Sequence, residues 1–219
     1  MSERRLALAR TRIKFCGLTR EQDIDAAVAA GADALGFVLW PGSKRGIDES
    51  RLARLSARVP AFVTRVGLFV DPSPALVARC AESLDLLQFH GDEPPALCAS
   101  FSRPWIKALR MREDLDLQMA VETYDGAQAV LLDAYRPGVP GGTGETFDWS
   151  RIPARLAKPV ILAGGLTPDN VADAIATVRP FAVDVSGGVE ADAGLKDPEQ
   201  MLAFANAVRH ADHANLNGW

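Results

Sequence analysis

Short, unbroken apolar runs alternate along the chain with segments of helical period. The runs Ile13–Cys16, Ala34–Leu39, Val63–Val70, Leu86–Phe89, Trp105–Ala108, Ala129–Asp133, Pro159–Leu162 and Phe181–Val185 predict strands. They lack the strict alternation of a half-exposed sheet, so both faces of each are expected to be buried, as in parallel sheets. Between them, Glu21–Ala30 carries Ile24, Ala27 and Val28 and stops at Gly31, a natural C-cap. Asp48–Arg58 repeats Leu52 and Leu55, and Pro74–Glu82 follows a serine suited to the N-cap. Thr167–Val178 opens on Thr167-Pro168-Asp169, again a cap with proline behind it. Pro198–Ala211 carries Met201, Leu202, Ala205 and Val208. Eight strands with about eight helices predict an α/β fold, a single-domain (β/α)8 TIM barrel, with an open doubly wound sheet as runner-up.

Composition narrows the class. A chain of 219 residues, 48% hydrophobic, suits one barrel-sized core, and its mean hydropathy near zero fits a soluble protein. The net charge of -4 and scattered basic groups argue against nucleic acid as partner. No apolar stretch has membrane-spanning length, so no membrane association is expected. Met1–Arg12 holds four arginines but no long apolar core or cleavage site, and reads as a partly frayed extension rather than a secretory signal. The barrel is expected over residues 13–211, with 212–219 a frayed tail. The cysteines, Cys16, Cys80 and Cys98, are odd in number and widely spaced, which fits neither a disulfide framework nor a zinc site. With the missing signal this points to a cytoplasmic protein. The three histidines are too scattered to predict a metal site.

The chemistry-bearing residues fall at strand ends, where ligands bind in parallel α/β folds. Cys16 closes the first strand. A lone cysteine is ordinarily a small hydrophobe, the reading for Cys80 and Cys98, but a thiol on this rim can serve as a base if its surroundings lower its pKa. Asp133 closes the sixth strand, where a carboxylate is costly unless solvated or paired; a structural cap and acid–base work are both open. Asp184, ending the eighth strand, has the same two readings. His90 follows the fourth strand and either binds substrate or orients a loop. Lys107 lies within a strand and is expected to meet a carboxylate. Arg45, in Ser43-Lys44-Arg45, is either solvated or a fork for a substrate carboxylate. Gly164 and Gly165 after the seventh strand, with Ser186 and Gly187 after the eighth, place flexible backbone where barrels bind phosphate. The loop Gly138–Gly144 is no Walker element, because Glu145 stands where a lysine is required; it reads as a cover over the site or a plain connector.

Taken together, KFCGLTR (Lys14–Arg20), GADALGFVLWPGSKR (Gly31–Arg45), RVGLFVD (Arg65–Asp71), LLQFHGDE (Leu86–Glu93), LLDAYRPGVPGGTGETFDW (Leu131–Trp149), LAGGLTPDNV (Leu162–Val171), RPFAVDVSGGVE (Arg179–Glu190) and GLKD (Gly194–Asp197) resemble the phosphoribosylanthranilate isomerase family of tryptophan biosynthesis. The blocks span nearly all of the chain from Ile13 to about Arg209. The resemblance implies a cofactor-free barrel that rearranges N-(5-phosphoribosyl)anthranilate to 1-(2-carboxyphenylamino)-1-deoxyribulose 5-phosphate. It implies Cys16 as general base, Asp133 as general acid and Arg45 as the contact for the anthranilate carboxylate. Phosphate would fall on Gly164, Gly165, Ser186 and Gly187, with Asp184 close to the substrate. The expected partner is therefore a small phosphosugar, and the protein a monomer or homodimer. Two departures stand out. Gly187 replaces a frequent serine but keeps its backbone amide, and Ala193 replaces a frequent proline. A broadened aminoaldose isomerase and a non-catalytic phosphosugar-binding barrel are the rival readings.

Overall fold

The structure, a computed structural model, describes residues 10–134 and 146–216. The glycine-rich segment Gly138–Gly144 and most of the N-terminal extension lie outside the described residues. β1 (Arg12–Cys16), β2 (Ala34–Val38), β3 (Thr64–Phe69), β4 (Leu86–Phe89), β5 (Trp105–Arg110), β6 (Val130–Asp133), β7 (Val160–Leu162) and β8 (Ala182–Val185) pair in sequence order, and β8 pairs with β1 to close a barrel. Every pairing within the barrel is parallel. Closure removes the edges that an open sheet would expose, and excludes the doubly wound alternative.

The helices are α1 (Glu21–Ala30), α2 (Glu49–Arg58), α3 (Pro74–Ala81), α4 (Pro95–Cys98), α5 (Leu117–Thr123), α6 (Val171–Val178) and α7 (Pro198–Leu216). Local chemistry sets their ends. Asp48 and Ser73 accept from the backbone N–H groups of Arg51 and Leu76, capping α2 and α3. Gly31 ends α1 at φ 90°, returning its N–H to Ala27 and Val28. Three expectations shift. The β6–β7 connection carries a 3-10 helix, Trp149–Arg151, rather than an α-helix among the described residues. α6 begins at Val171 rather than Thr167. The cause is Asn170, whose amide accepts from the Thr167 N–H and donates to the Gly165 carbonyl, tying 167–170 into a turn. α7 runs beyond Ala211 to Leu216, and its Asp212 accepts from the backbone and hydroxyl of Thr11.

Alternate strand positions face opposite layers. Phe15 points out to Phe204 of α7, their rings 6.1 Å apart edge to face. Inside, Ile106, Ala108, Ala129, Leu131, Ile161, Ala163 and Ala182 pack together. Their apolar side chains fill one side of the barrel, while the polar residues Lys14, Gln88 and Asp184 occupy inward positions on β1, β4 and β8. After β8 a short antiparallel pair, β9 (Glu190–Asp192) and β10 (Leu195–Lys196), folds back over the rim.

Candidate active site

A cavity of about 520 Å³ opens at the C-terminal ends of the strands. Cys16, Arg45, His90, Asp133 and Asp184 line it, with Gly164, Gly165, Ser186 and Gly187 across the β7 and β8 loops. The residues named from sequence for acid–base work, substrate or phosphate, from Cys16 to Gly187, therefore line one cavity. The parallel barrel is the reason, because it brings all strand C-termini to one face.

β1 delivers Cys16 and Lys14 to the same inward side. The Lys14 ammonium donates to Asp184 Oδ1 at 2.8 Å, and its charge acts on the neighbouring Cys16 thiol. Register explains the meeting, since Lys14 stands opposite Asp184 and Cys16 opposite Gly36. A Cβ at Gly36 would lie 2.7 Å from Cys16 Sγ and 3.1 Å from Lys14 Nζ, so only glycine leaves room for sulfur and ammonium together. Burial pushes the Cys16 thiol above its ordinary range; the Lys14 charge pulls it back and Asp184 pushes it further up. Burial also pulls Lys14 down, but Asp184 and the thiol outweigh it, and the ammonium stays charged. The Lys14 ammonium thus opposes burial and favours the thiolate form of the sulfur.

β6 presents Asp133 from the opposite side. Its Oδ1 accepts from the Ala134 N–H at 2.9 Å, and its Oδ2 meets His90 Nε2 at 3.1 Å. His90 Nδ1 meets Gln88 Nε2 at 3.1 Å, and Arg110 donates to the His90 carbonyl. Both ring nitrogens of His90 are therefore engaged within the protein. Gly164, at φ 82°, lets the β7 loop pass beside this group; a Cβ there would stand 2.4 Å from Ala134 N and 3.0 Å from Asp133 Oδ1.

Arg45 Nε and Nη2 each donate to Glu190 at 2.7 Å, a bidentate pair on the rim. Lys196 donates to the same carboxylate at 2.7 Å and to the Ser186 carbonyl at 3.0 Å. Burial raises the Glu190 carboxyl, but Arg45 and Lys196 more than offset it and hold it below the usual carboxylate range. The Ser186 hydroxyl donates to the Cys16 carbonyl at 3.0 Å, bracing the exit of β8 against that of β1. Gly187 begins a 3-10 turn, and Gly187 and Gly188 line the cavity together with the Gly164-Gly165 loop.

Four participants carry no mark in the strand-end pattern: Lys14, Gln88, Glu190 and Lys196. Lys14 and Gln88 offer a usable signal, a polar residue inside an apolar run two positions before a rim residue. Glu190 and Arg45 meet across 145 residues, and no local pattern marks that pair. Lys107 meets its carboxylate as expected, donating to Glu93 at 2.8 Å, but on the outer side of β5 and away from the cavity. Cys80 and Cys98 are buried, as is Cys16. Burial holds both Cys80 and Cys98 up at about 11. Among the described residues no helix is long and apolar enough to cross a membrane.

The family model for N-(5'phosphoribosyl)anthranilate (PRA) isomerase matches residues 13–207. The N-(5'-phosphoribosyl)anthranilate isomerase of Chromohalobacter salexigens is 71% identical over 203 residues, covering 93% of this chain and 96% of that protein. The crystal structure of phosphoribosyl anthranilate isomerase from Thermotoga maritima superposes with a TM-score of 0.84 at 41% identity, covering 91% of this chain and 99% of the other. A crystal structure of the same kind of enzyme in complex with reduced 1-(o-carboxyphenylamino)-1-deoxyribulose 5-phosphate gives a TM-score of 0.81 at 39% identity, with 91% and 99% covered.

Proposed function

The chain belongs to the N-(5'-phosphoribosyl)anthranilate isomerase family of tryptophan biosynthesis, and from that premise we propose that Cys16 and Asp133 divide the proton transfers of its aldose–ketose isomerisation. The observation that carries the reading is that thiol and carboxyl line one cavity together with the glycine loops after β7 and β8. The substrate is a furanose with nitrogen on its anomeric carbon. Asp133, protonated, gives its proton to the ring oxygen as the C1–O bond breaks, leaving an iminium at C1. That cation acidifies the neighbouring C2 hydrogen. Cys16, as thiolate, removes it, and the enolamine tautomerises to the ketone. Oxidation at C2 balances reduction at C1, so the chemistry needs no external electron acceptor.

Each proton transfer of this kind is worth about 10²–10⁴-fold when acid and base are positioned. Lys14 supports the reading by holding a positive charge against the sulfur, which favours the thiolate that acts as base; that negative charge is discharged as the sulfur takes the C2 proton. The backbone of Gly164, Gly165 and Gly187 receives the phosphate in this reading, while Arg45, aimed by Glu190, faces the carboxylate end. These contacts orient the sugar between acid and base. The cytoplasm is the compartment this reading assigns.

The test is complementation of a tryptophan auxotroph that lacks this isomerase, paired with a fluorescence assay for loss of phosphoribosylanthranilate. The wild-type chain restores growth and consumes the substrate. Cys16→Ala does neither, yet still binds the product. A Cys16→Ala enzyme with full turnover would eliminate the thiol as base.

A further inference from the structure

Behind Asp133 runs a chain of polar groups that the proposed reaction leaves without a task. Gln88 is fully enclosed in β4, two residues before His90 and on the same inward face. Its Nε2 stands 3.1 Å from His90 Nδ1, and its Oε1 is buried with no hydrogen-bond partner. The amide has two possible orientations. In the one observed, one N–H meets Nδ1, and the carbonyl oxygen and the second N–H are left over. In the reverse, the carbonyl would meet Nδ1 and two N–H donors would be stranded in the barrel wall. Buried orphan N–H groups are rarer and costlier than an under-used carbonyl, so the observed orientation is favoured. Nδ1 then accepts, and the single proton of the neutral imidazole sits on Nε2, facing Asp133 Oδ2 at 3.1 Å. With the Ala134 N–H on Oδ1, the carboxyl group is met by two donors.

We propose that Gln88 is a positioning residue for the acid: it fixes His90 in the Nε2-protonated form, and that N–H, with the one of Ala134, receives the carboxylate Asp133 becomes on giving up its proton. This rests on the reading of Asp133 as the acid. The proton balance is simple. The acid proton occupies a carboxyl lone pair that neither donor uses and leaves for the ring oxygen. His90 neither gains nor loses a proton. Two aimed donors stabilise negative charge at the moment it forms, which is where preorganised dipoles act most strongly. Arg110, donating to the His90 carbonyl, holds the backbone of this relay in place.

The experiment records the ring nitrogens of His90 by long-range ¹H–¹⁵N NMR on the full ¹⁵N-labelled chain, with His90→Asn to assign the signals. The wild-type spectrum is expected to show the Nε2–H tautomer; an Nδ1–H pattern overturns the proposal outright. Gln88→Leu, of similar volume, is expected to show His90 averaging between tautomers. Its turnover should fall about 10- to 10²-fold, the scale of a misplaced catalytic group, with KM nearly unchanged. Wild-type kcat in Gln88→Leu overturns the proposal, and the wild-type spectrum decides the matter even if that variant does not fold. Asp133→Asn, assayed in parallel, separates the two ideas. Its full activity would sink the acid itself, whereas an inactive Asp133→Asn beside an unimpaired Gln88→Leu would sink only the role of Gln88.

Discussion

Two lysines are buried in this barrel wall almost equally, Lys14 at 4% exposure and Lys107 at 2%, and each is paired with a carboxylate at 2.8 Å. Lys107 faces outward beneath α4. Its three N–H bonds have three acceptors, Glu93 Oε2, the Gly91 carbonyl at 2.6 Å and the Phe89 carbonyl at 3.4 Å. Glu93 Oε1 in turn accepts from the backbone of Asp71 and Gly91, and the Tyr124 ring lies 5.3 Å from the ammonium. Lys14 faces inward. It spends its capacity on Asp184 and on a sulfur whose protonation state the reaction must change. Burial and pairing do not distinguish the two lysines. The distinction lies in what the remaining donors touch: fixed carbonyls in one case, a titratable group on a cavity wall in the other.

Removing one partner of each pair should separate scaffold from chemistry. The largest effect is expected for Lys107→Met, which leaves Glu93 as an uncompensated charge. Breaking a buried pair in this way costs about 3–5 kcal/mol of stability. Urea unfolding should show that loss, while turnover per folded molecule changes little because Lys107 lies off the cavity. A strong fall in kcat with normal stability would erase the contrast between the two lysines.

Lys14→Met also leaves a buried carboxylate, Asp184, without its partner, but its distinguishing effect should fall on turnover per folded molecule. The Cys16 thiol is already pushed up by burial and by Asp184, and Lys14 opposes them; Lys44, Arg45, Arg110 and Lys196 are further cations around the site. Without Lys14 the thiol moves further up, and each tenfold weakening of its acidity cuts the thiolate fraction at neutral pH about tenfold. The rising limb of the pH–rate profile should therefore move to higher pH, with kcat at pH 7 down by about 10²-fold, the scale of one lost electrostatic contact at a reacting group. A rate that falls without movement of the limb would mean that Lys14 shapes the cavity rather than the thiol.

The same contrast explains what can be read from the chain without its fold. The eight strands are legible because most of their positions are buried on both faces, so each appears as a mainly apolar run. The rim chemistry is legible because a parallel barrel turns every strand end toward one side, which brings Cys16, Asp133 and Asp184 to one cavity without any distance being known. Lys107 stands out as a charge within an apolar strand, and Lys14 and Gln88 obey the same rule. What separates them is direction, and in a strand buried on both faces composition does not reveal which face looks inward. The partnership of Arg45, Glu190 and Lys196 is hidden for a different reason. It depends on β9 and β10 folding back over the rim, and two- and three-residue strands leave no periodicity. The start of α6 is not where its proline suggests, because Asn170 spends its side chain on the loop and the helix opens three residues past Pro168.

Ser186 offers the finest version of the comparison, a hydroxyl that lines the cavity yet is already committed. It donates to the Cys16 carbonyl, so the resemblance that assigns it to phosphate and the geometry that assigns it to β1 make different forecasts. A net intramolecular hydrogen bond is worth about 0.5–1.5 kcal/mol, so Ser186→Ala should change KM for the phosphosugar by less than about tenfold. The loosened Cys16 backbone should show instead as a modest fall in kcat. Steady-state kinetics at saturating and limiting substrate separates the two, since loss of a uniform binding contact raises KM alone. A KM increase of about 10²-fold with kcat intact would mean that the hydroxyl turns from Cys16 to the phosphate when substrate arrives. Phosphate recognition would then use a side chain as well as the glycine backbone of the β7 and β8 loops.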